Sequence, residues 1–200
     1  MPAGAASTEF ASHQGHFSAN PGLRSRLKEA TADAHCDLDA RLSSLDLSSL
    51  DGYRRFLEAN AAALWPAEDA LEAAGVTGIF LDWPARSRRA AMTADLAGVG
   101  GQLHPLAPMP AMNRNAVFGT MYVLEGSRLG AKYLLRGVAN ASDATVAVAT
   151  AYLSHGNGQH FWQSYLAALE QEPATLDDEV EIVAAADLAF SMFAHAAARA

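Results

Sequence analysis

Residues Tyr122 to Leu135 read YVLEGSRLGAKYLL, a stretch of helical character that carries Gly126 and Gly130 in its middle. A glycine inside a helix costs about 0.5–1 kcal/mol relative to alanine, so a helix that keeps several needs a physical reason. Gly119 and Gly137 extend the series. At roughly 100° per residue, positions 119, 126, 130 and 137 fall within about 40° of one another. One face of a long helix therefore has almost no side chains. Either a second helix or something flat can lie directly on its backbone.

The rest of the chain narrows the setting. Its 200 residues, 50% hydrophobic and 18% charged, fit one globular domain with a sizeable core. A net charge of -8 argues against a nucleic-acid partner. Cys36 is the only cysteine, which excludes an internal disulfide and a cysteine-built zinc site and suits a reduced, cytoplasmic setting. The N-terminal stretch has no basic region followed by an apolar run, and no uninterrupted apolar stretch approaches the ~20 residues of a membrane span. Alanine is abundant and β-branched residues are scattered, which favours an all-α protein. Residues 1–20 read as a disordered tail in which His13 and His16 are incidental, and residues 21–200 as the helical domain.

Within that domain the periodicity predicts a first helix from Gly22 to about Leu42 and a second from about Ser49 toward Ala74, kinked or restarted at Pro66. Asp82 and Pro84 signal a helix over Ala85 to Ala97. Three prolines mark His104–Pro110 as a loop. The glycine-faced helix spans about Met112 to Gly137, and shorter helices cover Ala144 to Leu153 and Gln159 to Glu170. Thr175 with Asp178 forms a capping arrangement for a last helix ending near Arg199.

On the first helix His35 sits at the edge of the apolar stripe, with Asp39 one turn on and Lys28 two turns back on the same flank. A carboxylate at that spacing can accept a proton from the imidazole, which orients a ligating histidine and raises its basicity. A lone histidine of this kind is ordinarily a semi-buried residue with one hydrogen bond. With a supporting carboxylate and a nearby cation it suits the axial site of a haem iron, where the porphyrin supplies the other nitrogens. A porphyrin is also flat, and the glycine face is a surface on which a flat ligand can rest.

Taken together the two helices resemble those of the heme oxygenase family. The stretch LKEATADAHCDLD, Leu27 to Asp39, is similar to that family's proximal helix, and YVLEGSRLGAKYLL to the distal helix of its bacterial branch. The resemblance covers about residues 22–200 and implies a single-domain, all-α heme oxygenase-like fold with haem between proximal and distal helices. It implies His35 as iron ligand, Asp39 as its support and Lys28 at a propionate. It places Gly126 and Gly130 against haem with Tyr122 and Ala131 beside them, Ser127 as organiser of distal water, Gln163 at the haem edge and Phe190 at an aromatic pocket position. The implied reaction opens haem to biliverdin, carbon monoxide and ferrous iron, using O2 and electrons from a ferredoxin or a reductase. Supply of biliverdin to a phytochrome follows by analogy.

Several residues depart from the family pattern. Ser127 stands where mammalian members carry an aspartate, Ala131 replaces a further glycine, and Gln163 replaces a propionate-binding arginine. Arg128 and Lys132 are the candidate substitutes for that arginine. Ser127 and Gln163 also keep open a haem-binding sensor or carrier with the same fold. The related thiamin-degrading helical enzymes want an active-site cysteine, for which Cys36 is poorly placed. Arg86, Arg88 and Arg89 form a basic cluster, read either as solvated surface or as a docking patch for an acidic electron donor.

Overall fold

The computed structural model describes residues 22–172 and 175–200, and every regular element among them is helical. The expected tail lies outside the described residues. In chain order the α-helices are α1 (Leu23–Ala30), α2 (Ala32–Ser43), α3 (Leu50–Ala73), α4 (Trp83–Arg86), α5 (Arg89–Val99), α6 (Arg114–Val138), α7 (Ala144–Val148), α8 (Ala151–Ser154), α9 (Phe161–Gln171) and α10 (Leu176–Ala197). A 3-10 turn, Val76–Gly78, follows α3.

Four differences from the sequence reading trace to particular hydrogen bonds. The first helix is divided at Thr31, whose Oγ1 donates to Leu27 O at 2.8 Å and whose backbone leaves the helical region (φ -98°, ψ 7°). Hydroxyl back-bonding of this kind bends a helix. Conversely, α3 runs through Pro66 without a break. Proline leaves the carbonyl four residues earlier without its helical donor, and here Leu106 N–H, from the proline-rich loop, donates to Ala62 O at 2.8 Å.

The helix expected over Ala85 to Ala97 is two helices. Between them the buried Glu68 carboxylate accepts from the Ser87 hydroxyl, from Arg88 N at 2.8 Å and from Arg89 Nε at 3.1 Å, which turns the chain. The helix expected over Ala144 to Leu153 is likewise divided. Asp95 caps the second piece, accepting from Ala151 N (3.0 Å) and Tyr152 N (2.7 Å), while Tyr53 Oη donates to Ala149 O. The expected capping box of the last helix is present: Asp178 N donates to Thr175 Oγ1, and Thr175 N donates to Asp178 Oδ2.

The core lies where α6 crosses α10, with α3 also packed on α10. Phe80, Phe118 and Tyr165 pack ring to ring beside the crossing, and Tyr165 Oη donates to Phe118 O. α10 is long and apolar enough to cross a membrane, alone among the described residues. It packs on α6, α3 and α2, as the central helix of a bundle does. α2 rests on α10 and has no fully buried residue, so its other face is open.

The glycine face does two jobs. A Cβ on Gly119 would lie 2.2 Å from Ile182 O and 2.9 Å from Ala186 N, so this glycine lets two backbones meet. Nothing lies within 4 Å of a Cβ built on Gly130 or Gly137. Gly119→Ala therefore lowers stability by about 1–3 kcal/mol through overpacking. Gly137→Ala raises it by about 0.5–1 kcal/mol through helix propensity alone. Urea unfolding followed by circular dichroism reads both, and equal effects at the two positions would contradict this division.

Candidate functional site

The i, i+4 spacing on α2 brings His35 Nδ1 to 3.1 Å from Asp39 Oδ2. With the proton on that nitrogen, Nε2 keeps its lone pair for a metal or a proton. Both side chains are open to solvent, at 59% and 64% exposure, so the imidazole is oriented without being covered. The His35 ring lies beside Phe190: the rings are 5.7 Å apart and nearly perpendicular. Phe190 is buried on α10, which also carries α6. One helix is thus the common floor of α2 and α6.

On α6, Gly126 and Gly130 occupy the surface beyond that floor. The nearest foreign atoms to a Cβ on Gly126 are on the Trp162 ring, at 3.7 Å, and Gly130 has none within 4 Å. Among the described residues, no contact accounts for the missing side chains at these two positions. Ala131 is partly buried against the core. Tyr122 is half-buried with its ring 5.8 Å from Trp162. Burial pushes its hydroxyl up, while a hydrogen bond with Thr31 and the charge of Arg24 pull it down. Arg24 lies over Trp162 at 5.9 Å. The start of the proximal segment therefore closes onto α6 and α9 at Tyr122 and Trp162. Arg24 and Trp162 were missed as site residues. The available signal was that Arg24 precedes Lys28 by one helical turn and shares its face.

Lys28 is exposed. Gln163 is exposed on α9 and lines a cavity of about 20 Å³ together with Arg128, Lys132, His155 and Trp162. That volume holds about one water. Ser127 is exposed beside the glycines, with its Oγ donating to Leu124 O at 2.8 Å and accepting from Arg88 Nη1 at 3.0 Å.

The arginines require a correction. Arg86 and Arg88 are each 2% exposed, and Arg89 is held against Glu68 and Asp69, so the cluster is neither solvated surface nor a docking patch. Arg128 is also buried. It donates to Glu125 Oε2 at 2.9 Å and to Arg86 O at 2.6 Å, and contacts His155 Nδ1 at 3.0 Å. It is not free to replace a propionate anchor. Arg86 in turn meets Asp82 at 2.7 Å and Glu125 at 3.5 Å, and donates to Phe161 O and Ser164 Oγ. The guanidiniums of Arg86 and Arg128 lie over the Phe161 ring at 4.8 and 5.0 Å. Together these bonds tie α4, α6 and α9 behind the glycine face. Long-range partners, invisible to local patterning, drew these charges inward. Lys132 and Arg136 on α6 remain exposed.

The heme oxygenase family profile matches residues 80–199, which contain α6 and its glycines and begin after α2. A protein of Xanthomonas campestris pathovar campestris named heme oxygenase is 27% identical over 145 residues, 72% of this chain and 86% of that protein. Two bacterial structures share the fold. The NO- and CO-bound heme oxygenase of Neisseria meningitidis superposes with a TM-score of 0.75 at 20% identity, covering 90% of this chain and 92% of that one. The heme oxygenase of Leptospira interrogans gives 0.69 at 19% identity, covering 90% and 100%.

The buried cations also set a pH dependence. Burial, then Arg128 and Arg88, push the His155 imidazole down to about 4. Its unfolded value near 6.5 is higher, so the unfolded chain binds the extra proton first. Stability contributed by neutral His155 is complete above about pH 6.5 and is lost as pH falls toward 4. His155→Gln is expected to flatten the dependence of the urea midpoint on pH across that window. An unchanged slope would show that another group is responsible.

Proposed function

The chain belongs to the heme oxygenase family, and we propose that His35 is the proximal iron ligand of its haem site and that Gly126 and Gly130 form the distal face. By family and fold it is a heme oxygenase. Haem is the substrate and supplies the iron at which O2 is activated. The products are biliverdin, carbon monoxide and ferrous iron, with electrons from a ferredoxin or a reductase.

The residues fit haem. His35 presents one nitrogen, its other being held by Asp39. Phe190 sets the ring angle from below. Gly130, with open space above its Cα, is the observation that carries the reading: the chain keeps a destabilising residue where its own packing does not need one. Gly126, against the Trp162 ring edge, continues the same bare surface.

The remaining residues fall into supporting roles. Tyr122 and Thr31 meet where the proximal segment reaches α6 and limit how far the two walls separate. Lys28 and Arg24, one turn apart on α1, are exposed cations suited to the two propionates. Lys132 and Arg136, exposed one turn apart on α6, provide positive charge for an acidic electron donor on a protein of net charge -8. Ser127, which follows Gly126, is an exposed polar residue beside the distal glycines, and there is no histidine from Tyr122 to Leu135 to act as a distal proton source. Gln163 faces the water-sized cavity beside Lys132. Packing of α10 within the bundle supports a soluble protein, and the single cysteine suits a cytoplasmic one.

Added haem is expected to give a histidine-ligated Soret band that decays to a biliverdin spectrum on supplying reductant in air. A band that survives reductant and air would identify a carrier or sensor instead. His35→Ala should abolish the histidine-ligated spectrum, and an unaltered one would refute the ligand assignment. Gly130→Leu should weaken haem binding by about 10–100-fold, the equivalent of the ~1–3 kcal/mol that a steric clash costs. The same change should leave the haem-free protein as stable or slightly more so, because no atom lies within 4 Å to resist it. Loss of stability in that variant would mean that Gly130 serves packing.

A further inference from the structure

Ser127 reaches the distal surface with a hydroxyl whose bonds are already arranged. One lone pair accepts from Arg88 Nη1 at 3.0 Å. Its proton goes to Leu124 O at 2.8 Å. That carbonyl also accepts from Arg88 Nη2 at 3.2 Å, so it keeps a donor if the hydroxyl proton turns away. A hydroxyl has one proton and two lone pairs. With Arg88 fixed on one lone pair, the proton can turn between Leu124 O and the exposed side.

Arg88 differs from its neighbours in charge balance. Arg86, Arg89 and Arg128 each contact carboxylates. Among the described residues, the Arg88 guanidinium has no carboxylate partner. Its backbone N–H, not its side chain, takes Glu68 Oε1, and the guanidinium lies 5.2 Å from the centre of the Tyr152 ring. It is 2% exposed. A buried guanidinium without a counter-ion is costly to keep, and its bond to the exposed Ser127 carries its charge toward the surface. Its field also extends the other way: burial first, and Arg88 in addition, hold His155 neutral and push Arg128 down.

We propose that Arg88 is a positioning residue that polarises the Ser127 hydroxyl into a proton donor toward an anionic ligand on the distal side of haem. It supplies from behind the charge that a serine cannot carry. Charge-assisted hydrogen bonds in series reinforce one another. This role rests on the haem site proposed above, and it explains why a serine can stand at this position without an acid beside it.

Fluoride binding to the ferric haem complex tests the role, because fluoride is a small anionic acceptor and its binding involves no turnover. Arg88→Gln and Ser127→Ala should each weaken fluoride by roughly tenfold. The histidine-ligated spectrum should remain, as a merely structural role would not require. Because the two groups act in series, the double variant should be no weaker than the weaker single variant. Should Arg88→Gln fail to fold, Ser127→Ala with Arg88→Lys decides: the lysine variant keeps the charge and should bind fluoride more tightly than Ser127→Ala. Fluoride affinity within twofold of wild type in either Arg88→Gln or Ser127→Ala overturns the proposal. So does a double variant whose loss is the product of the two single losses, or a lysine variant no better than Ser127→Ala. Failure of the wild-type chain to bind haem through a histidine would instead overturn the site itself, and this role with it.

Discussion

The close crossing of α6 over α10 is the constraint from which the other positions follow. At Gly119 the two backbones approach until a single methyl group would overlap Ile182 O. Main-chain atoms cannot yield as a flexible side chain can, so the crossing point is fixed. Everything further along α6 then has a set distance from the floor that α10 provides. α2 rests on the same α10 through the environment of Phe190, which places the His35 ring relative to that floor. Two walls referred to one helix keep their separation without touching along most of their length.

The back of α6 is held by charge as well as by apolar packing. Glu125, 1% exposed, is shared by Arg86 and Arg128, whose remaining donors reach Asp82, His155, Ser164 and main-chain oxygens. Buried charges are tolerable only when nearly every donor finds an acceptor, and a network so satisfied has few alternative arrangements. It fixes both the rotation of α6 about its axis and the approach of α9. Rotation matters because the bare glycine surface is narrow, and a turn of one residue, about 100°, would carry large side chains into its place. Among the described residues, the network also leaves Arg88 as a cation without a carboxylate, directly behind Ser127.

Much of this was legible in the chain. Helix positions, the Thr175–Asp178 box, the His35–Asp39 pair and the bare face at Gly126 and Gly130 all depend on residues within a turn or two of each other. The exceptions share a cause. Pro66 stayed inside α3 because Leu106, forty positions later, supplied the bond that proline removed. The run Arg86, Arg88, Arg89 resembled surface because its acceptors lie on α3, α6 and α9. Two expected helices divided because Glu68 and Asp95, distant in sequence, captured their backbone N–H groups.

The sequence by itself determined that the protein is helical, that one helix exposes backbone and that another presents an oriented imidazole, because a 3.6-residue period decides which residues share a face. The tertiary structure decided what each face meets. Of four glycines on one line, Gly119 meets a helix and Gly130 meets open space, a distinction no periodicity contains. It likewise drew Arg88 inward to the back of Ser127, because burial and hydrogen bonding depend on which helices come together.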